Sequence, residues 1–344
     1  MLPGHQHIAS VTIAALLFGT APSIAQPPAR QYKQNVLSIA YFIESANNSI
    51  NSLNGLLKKD NYRNKITSLN NPANNELGFN LKSEILTALK PLLAKAKRTD
   101  TKKFKEVIEN FLNNPEENGI GSVKKYLPAL GIFSTVLSLV GNLVVMEKTI
   151  TQQDLNEFVN KIQQYFIQYE KLNMINEQFA QQLQDLLERA EEAREDLKEF
   201  LVECISMLNS SLTKQSLKEM QVEYLIQKYY DPQKLQAWLD TCQTSNKLLY
   251  PPDAPTSVKL LTSQIKKLQK EFESVYEENY TQLKELIASL KTAIPNLDHE
   301  QIAKTDSELN KLYSVSRQAD LINLNITLVD ERMNTVCRNI NAAN

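Results

Sequence analysis

The side chains that could carry catalysis or hold a metal are few in this chain of 344 residues. Of its 3 histidines, two lie in the first seven positions and the third is His299, whereas metal sites and histidine-based catalysis need clustered partners. Gly119 and Gly121 lack the third glycine and the preceding strand of a nucleotide-binding loop. Acidic pairs such as Glu191 and Glu192 fall on helix surfaces. We therefore predict a protein that is not an enzyme, with no catalytic residue, metal or cofactor.

The cysteines are the remaining reactive side chains, and their spacing matches no metal site. An oxidising compartment would allow one disulfide, most readily Cys204–Cys242 across the turn and short helix between them. Cys337 would then be free or available for an intermolecular bond. The alternative is three buried thiols in helix seams.

Residues 1–25 have the pattern of an export signal. An apolar core at 11–19 is followed by the small residues Ser23 and Ala25, as at a signal cleavage site. Because no Lys or Arg precedes the core, a buried N-terminal helix is the alternative. We predict a signal peptide at 1–25 and a mature chain from Gln26 that is secreted or periplasmic, with membrane association left open.

Composition favours helices throughout the mature chain. There are 8 glycines, none of them after Gly141, so tight turns that require positive φ are scarce. The formal net charge is −1, so the overall electrostatics suggest no nucleic-acid partner. Lys and Glu are interspersed, which is typical of ordinary solvated helix faces. These features predict an all-α protein whose partners do not include nucleic acid.

The longest predicted helix begins with a capping-box sequence at Thr151 and Asp154. Apolar residues then recur with heptad spacing, and Asn176 is the one polar exception. Asn279 occupies a similar position in a later helix, so the two amides would meet if the helices pack antiparallel, or else lie at an exposed edge. The seam consists of Leu155, Phe158, Ile162, Tyr165, Tyr169, Leu172, Asn176, Phe179, Leu183, Leu186, Ala190, Ala193, Leu197, Phe200, Cys204 and Met207.

Further seams of the same period indicate how the chain is organised. They lie at 32–57, 258–275 and 312–340. Long seams in one chain predict an elongated antiparallel bundle of heptad-patterned helices, although they could instead drive oligomerisation. Polar or proline-rich segments would fold the helices back at 71–80, 209–216, 250–255 and 294–299. We predict a single domain at 26–344 with a linker at 244–256.

An apolar segment at 126–146 is the main functional feature of the sequence. No charged residue lies between Lys125 and Glu147, and about twenty apolar residues suffice to cross a hydrocarbon core of about 30 Å. One face is rich in large apolar residues, for which we predict membrane insertion: Leu130, Ile132, Phe133, Val136, Leu137, Leu139, Val140, Leu143 and Val144.

The opposite face of this segment carries small and polar residues suited to close helix–helix contact, in lipid or in a protein core. Asn142 would be unfavourable against lipid, so this side should face protein or water. The predicted helix-contact face consists of Gly131, Ser134, Ser138, Gly141 and Asn142.

Two other stretches could contact a membrane. The amphipathic stretch 81–112 is locally basic, which is typical of a helix on an anionic surface or of an ordinary solvated face. Trp238, near Tyr229 and Tyr230, could be an interfacial anchor or could pack at the end of the bundle. The basic residues are Lys90, Lys95, Lys97, Arg98, Lys102, Lys103 and Lys105.

The layout resembles the α-helical pore-forming toxins of the cytolysin A and haemolysin BL type. The resemblance lies in YLPALGIFSTVLSLVGNLVVM, at 126–146, joined directly to the heptad helix that begins TITQQDLNEF. It implies an elongated bundle of long helices with an apolar head segment, membrane insertion and assembly. The chain departs from these toxins in having one apolar run rather than a hairpin of two.

The sequence thus predicts a secreted helical bundle that acts at membranes by conditional insertion and self-association. Its partners would be a lipid membrane and further copies of itself. The alternatives are a non-catalytic periplasmic or surface scaffold, whose long helices bind a protein partner while 126–146 stays buried, and a protein permanently anchored by that segment.

Overall fold

The computed structural model describes residues 29–58, 61–95, 106, 135–142, 149–241, 248–323 and 325–342. These residues form long helices packed against one another and include no strand, so the predicted all-α fold is confirmed. The predicted signal peptide at 1–25 lies outside the described ranges.

The helices vary widely in length, from single turns to one of 57 residues. A π-helical turn at Ile226–Tyr230 joins the seventh to the eighth. In chain order the helices of the described ranges are α1 (Ala29–Lys58), α2 (Asn61–Leu69), α3 (Leu81–Lys95), α4 (135–142), α5 (Gln152–Leu208), α6 (Lys214–Lys218), α7 (Val222–Leu225), α8 (Pro232–Thr241), α9 (Ala254–Ala293), α10 (His299–Asn323) and α11 (Ile326–Asn341).

Helix α5 is the axis of the fold. Its 57 residues extend for about 85 Å at 1.5 Å per residue, and its capping box at Thr151 and Asp154 is present. The predicted seam is confirmed: all of its members are buried except Leu155, Asn176 and Met207, which are half-buried. The seam therefore faces the other helices along the length of α5.

Helix α9 runs antiparallel to α5. Near one end Gln264 donates to Asp196 at 2.6 Å, and near the other Ser289 donates to Gln168 at 2.9 Å. Helices α10 and α11 then run back along α9, where Lys266 contacts the carboxylate of Asp330 at 2.5 Å. The predicted reversal at 294–299 is therefore confirmed.

Helices α1, α2 and α3 follow one another along α5 in a single direction. Asn54 in α1 donates to Glu191 at 3.2 Å, whereas Lys95 at the end of α3 contacts Asp154 near the start of α5. The predicted reversal at 71–80 is therefore wrong. This segment is a loop, but it returns the chain to the same direction after a lateral step.

The centre of the bundle is an aromatic cluster around Tyr62. Its ring lies edge-on to Phe179, with centroids 6.0 Å apart, and packs against Tyr276 at 5.7 Å. The Tyr62 hydroxyl donates to Oδ1 of the buried Asn279 at 3.0 Å. Asn279 is thus in the core, and its hydrogen-bond partner comes from α2 rather than from Asn176.

Gly78 fixes the loop between α2 and α3 against the turn that follows α9. Its φ of 77° is in the left-handed region, and its carbonyl accepts a hydrogen bond from the Asp298 N–H at 2.8 Å. A Cβ at this position would lie 2.8 Å from Cδ1 of Leu297 and 2.9 Å from the Asp298 carbonyl oxygen. Both the backbone conformation and the space therefore require glycine.

We expect Gly78→Ala to lower the free energy of unfolding by about 2–4 kcal/mol, because it combines left-handed strain with overpacking against Leu297. Gly55 is the matched control, since a Cβ there meets no atom of the described part of the chain within 4 Å. Gly55→Ala should stabilise α1 by roughly 0.5–1 kcal/mol. Urea unfolding of both variants checks this, and equal effects would show that the loop does not depend on Gly78.

Candidate functional site

The described part of the apolar segment 126–146 is helix α4, and its large residues face the bundle. Val136 and Val140 are both 0% exposed, and Leu137 and Leu139 are half-buried against the same core. Four of the residues predicted to insert are therefore partly or fully covered by protein in this state. The other five, Leu130, Ile132, Phe133, Leu143 and Val144, lie outside the described residues.

The small-residue face of α4 points away from the bundle. Ser138 and Asn142 are exposed, and Gly141 is half-buried. A Cβ built on Gly141 meets no atom of the described residues within 4 Å, so packing against them does not require glycine there. The rest of this predicted contact face, Gly131 and Ser134, lies outside the described residues.

Across the ranges that the structure describes, no helix combines the length and the apolar character needed to span a membrane.

The start of α5 is tied to the end of α3 next to this segment. The Thr149 hydroxyl donates to the Lys95 carbonyl oxygen at 2.7 Å, and the Lys95 ammonium contacts the Asp154 carboxylate. The Thr151 backbone N–H and hydroxyl each donate to the same carboxylate at 2.9 Å. Asp154 therefore serves both as the capping-box acid of α5 and as the ion-pair partner of α3.

These contacts stabilise the ionised form of Asp154. The hydrogen bond from Lys95, followed by those from Thr151, lowers the pKa of the Asp154 carboxyl to about 2 from its ordinary 3.8. A carboxyl with a lowered pKa contributes stability that is fully present above its unfolded pKa and is lost as pH falls through the folded one. Asp154 therefore keeps its charge, and with it the contacts to Lys95 and Thr151, on mild acidification.

We expect Asp154→Asn to lower the urea midpoint equally between about pH 7 and about pH 5, and its effect to shrink as pH falls from 3.8 towards about 2. Asp185→Asn removes the same charge from α5 away from α3 and should have a smaller effect at neutral pH. A difference between Asp154→Asn and wild type that vanished already at about pH 5 would contradict the assignment of the stabilising charge to this carboxylate.

The basic stretch 81–112 is described mainly through α3. The helix is amphipathic, as predicted, and continues past Pro91 to Lys95. Lys90 is exposed, and with Lys82 it borders a shallow cleft of 530 Å³ on the outer side of the helix. The predicted Lys97, Arg98, Lys102, Lys103 and Lys105 lie outside the described residues.

Cys204 is a free thiol in this structure. It is fully buried next to the Tyr230 hydroxyl, and burial raises the pKa of the thiol far above its usual range. Cys242 lies outside the described residues, so the pairing Cys204–Cys242 stays a prediction. Cys337 is also free and is half-buried, with Sγ 3.8 Å from the Pro255 carbonyl oxygen.

A second cleft, which the sequence analysis missed, lies where α5 ends. Trp238 is 41% exposed and borders this space of 460 Å³. Lys228, on the π-helical turn, and Lys234, on α8, line it too. Both lysines are visible in the sequence IQKYYDPQK, at 226–234. Regular helical spacing does not predict the π-helical turn that carries Lys228, so the sequence did not show that the two lysines border one cleft.

Metal-binding chemistry has no candidate among the described residues, because no three His, Cys, Asp or Glu side chains form a group that could hold an ion. His299 is the first residue of α10.

Comparison of the chain with protein-family models, with curated proteins and with solved structures finds no match.

Proposed function

We propose that this protein acts at membranes by conditional insertion of the segment 126–146 and by self-association through the small-residue face of that segment. The observation that carries the proposal is the orientation of α4. Its large apolar side chains Val136 and Val140 are buried in the bundle, while Ser138 and Asn142 face outward. The apolar side is thereby kept from water until another apolar medium replaces the core.

The energies involved are compatible with release. Burial of one valine side chain contributes roughly 1.5–3 kcal/mol. Removal of α4 from the bundle therefore costs about this much for each of the buried Val136 and Val140. A segment of about twenty predominantly apolar residues gains free energy when it enters lipid. Entry into hydrocarbon therefore offsets the loss of the protein core around Val136 and Val140.

The outward face supports self-association. Glycine inside a helix costs about 1 kcal/mol relative to alanine, and no neighbour among the described residues requires it at position 141. In lipid, Gly141 and Ser138 would allow close approach of a second helix, and Asn142 would need a polar partner. A second copy of the same segment would supply both the closely packed helix and the polar partner for Asn142.

We expect the purified chain beginning at Gln26 to release dye from liposomes and to form discrete oligomers. Ser138→Leu/Gly141→Leu should fold normally, because Ser138 is exposed and a Cβ at 141 is unopposed. It should slow release by about tenfold or more, since larger side chains prevent close helix contact worth roughly 1.4 kcal/mol.

The matched control is Ala303→Leu/Ser307→Leu, which adds leucines at two exposed positions of α10. It should leave the rate of release unchanged. Equal loss of release in both double variants would contradict a specific contact at the small-residue face, and absence of release from several lipid compositions would contradict the proposal as a whole.

Insertion can be followed directly from the exposed side of α4. A solvatochromic label on Ser138→Cys, with Cys242 and Cys337 replaced by serine and the buried Cys204 retained, should shift its emission to the blue when liposomes are added. The same label on Ser307→Cys in α10 should remain in water. Because a label at 138 lies on the small-residue face, dye release is measured with the unlabelled chain. A label at 138 that stays in water, under conditions in which the unlabelled chain releases dye, would mean that another segment permeabilises the membrane.

A second candidate, a scaffold that binds a protein partner, is favoured by apolar side chains exposed on the outer side of α5. Ile167 is 46% exposed, and Met174, one heptad later, is 61% exposed. Met174 also borders a groove of 450 Å³ between α5 and α9. A chain that remains monomeric and neither binds nor permeabilises liposomes would favour this candidate.

A further inference from the structure

The cleft at the end of α5 combines an apolar floor with a cationic rim. Its floor is formed by Ile205, Leu208 and Leu235, from α5 and α8. Lys228 and Lys234 supply two ammonium groups, and no carboxylate occurs among the described residues that line the space. The volume of 460 Å³ falls within the range of roughly 300–1,000 Å³ that is usual for small-molecule sites.

Lys228 is held in place by the aromatic side chains of the π-helical turn and of α7. Its Nζ lies 5.1 Å from the centre of the Tyr224 ring and 4.9 Å from that of Tyr229, and it donates to the Tyr224 hydroxyl at 2.9 Å. Hydrogen bonds to the hydroxyls of Tyr224 and then Tyr229 raise the pKa of Lys228 to about 12. This ammonium is therefore charged at neutral pH.

Lys234 is fixed in a similar way, because its ammonium donates to the Gln227 carbonyl oxygen at 2.8 Å. The nearest acid in sequence, Asp231, accepts a hydrogen bond from the Lys234 backbone N–H and caps α8. An ammonium has three donors, so both lysines keep donors for a ligand. The Lys228 ammonium also lies close to the Tyr224 and Tyr229 rings, so a cationic ligand there would be repelled by its charge.

We infer that this cleft binds an anionic amphiphile, with a phosphate or carboxylate head between Lys228 and Lys234 and an alkyl chain on the floor beside Trp238. The head could belong to a free amphiphile or to a lipid in a bilayer. The inference goes beyond the proposed insertion of 126–146, because none of the described residues that line the cleft belongs to that segment.

The protein provides its own reporter, since Trp238 is the only tryptophan in the chain. Its fluorescence would be titrated with dodecyl phosphate kept below its micelle concentration, and separately with vesicles of equal parts phosphatidylglycerol and phosphatidylcholine. A blue shift with the first probe identifies a free amphiphile as sufficient. A shift with the vesicles alone identifies a bilayer lipid as the source of the head group.

We expect Lys228→Gln/Lys234→Gln to weaken the response by at least about tenfold, the effect of losing one charge-assisted hydrogen bond. Both lysines are exposed, and circular dichroism confirms that the variant is folded. The matched control, Lys214→Gln/Lys218→Gln, removes two charges from nearby α6 that lie outside the cleft and pair with Glu203 and Glu199. It should bind like wild type.

Three results would overturn the inference. One is no change in Trp238 emission with either probe. Another is an equal response to dodecyltrimethylammonium, whose head is cationic. The third is an equal loss of binding in both lysine variants, which would indicate general charge attraction. Ser138→Leu/Gly141→Leu should retain the Trp238 response even if it no longer permeabilises liposomes, so failure of either proposal can be told from failure of the other.

Discussion

The architecture depends on one constraint, the need to cover an apolar seam that runs along a helix of 57 residues. A helix with such a seam is not stable alone in water, because its stability comes from packing of its apolar face. Helix α9 has 40 residues and covers one side of α5 antiparallel. The other side is covered by α1, α2 and α3, which follow each other along α5 in one direction. After the loop at 71–80, α3 continues to the start of α5, where Lys95 contacts Asp154.

Polar side chains within this interface fix the register of the helices against each other. An apolar seam tolerates shifts by a heptad, whereas a buried amide or carboxylate that loses its partner leaves an unsatisfied group. Asn70 donates to Asn173 at 3.1 Å, and Arg194 donates to both oxygens of Glu223 at 3.0 Å. Together with Tyr62 on Asn279, they specify register at separate levels of the bundle.

The sequence was sufficient for features that depend on local spacing and insufficient for those that depend on distant partners. The heptad seam and the capping box at Thr151 are set by residues a few positions apart, and both were predicted. The loop at 71–80, in contrast, contacts Leu297 and Asp298 through Gly78, and these partners lie more than two hundred residues away. The partner of Asn279 and the π-helical turn that presents Lys228 are likewise products of tertiary packing.

The contacts that hold the long helices together bear on whether α4 could leave the bundle without unfolding it. The N-terminal end of α5 is closed by Lys95, Thr149, Thr151 and Asp154, none of which belongs to 126–146. The contacts that align α5 with α9 likewise involve residues outside that segment. Departure of α4 would therefore expose the core surface that covers Val136 and Val140, while the long helices keep their register. The long helices thus have contacts with one another that do not involve α4, as the proposed conditional insertion requires.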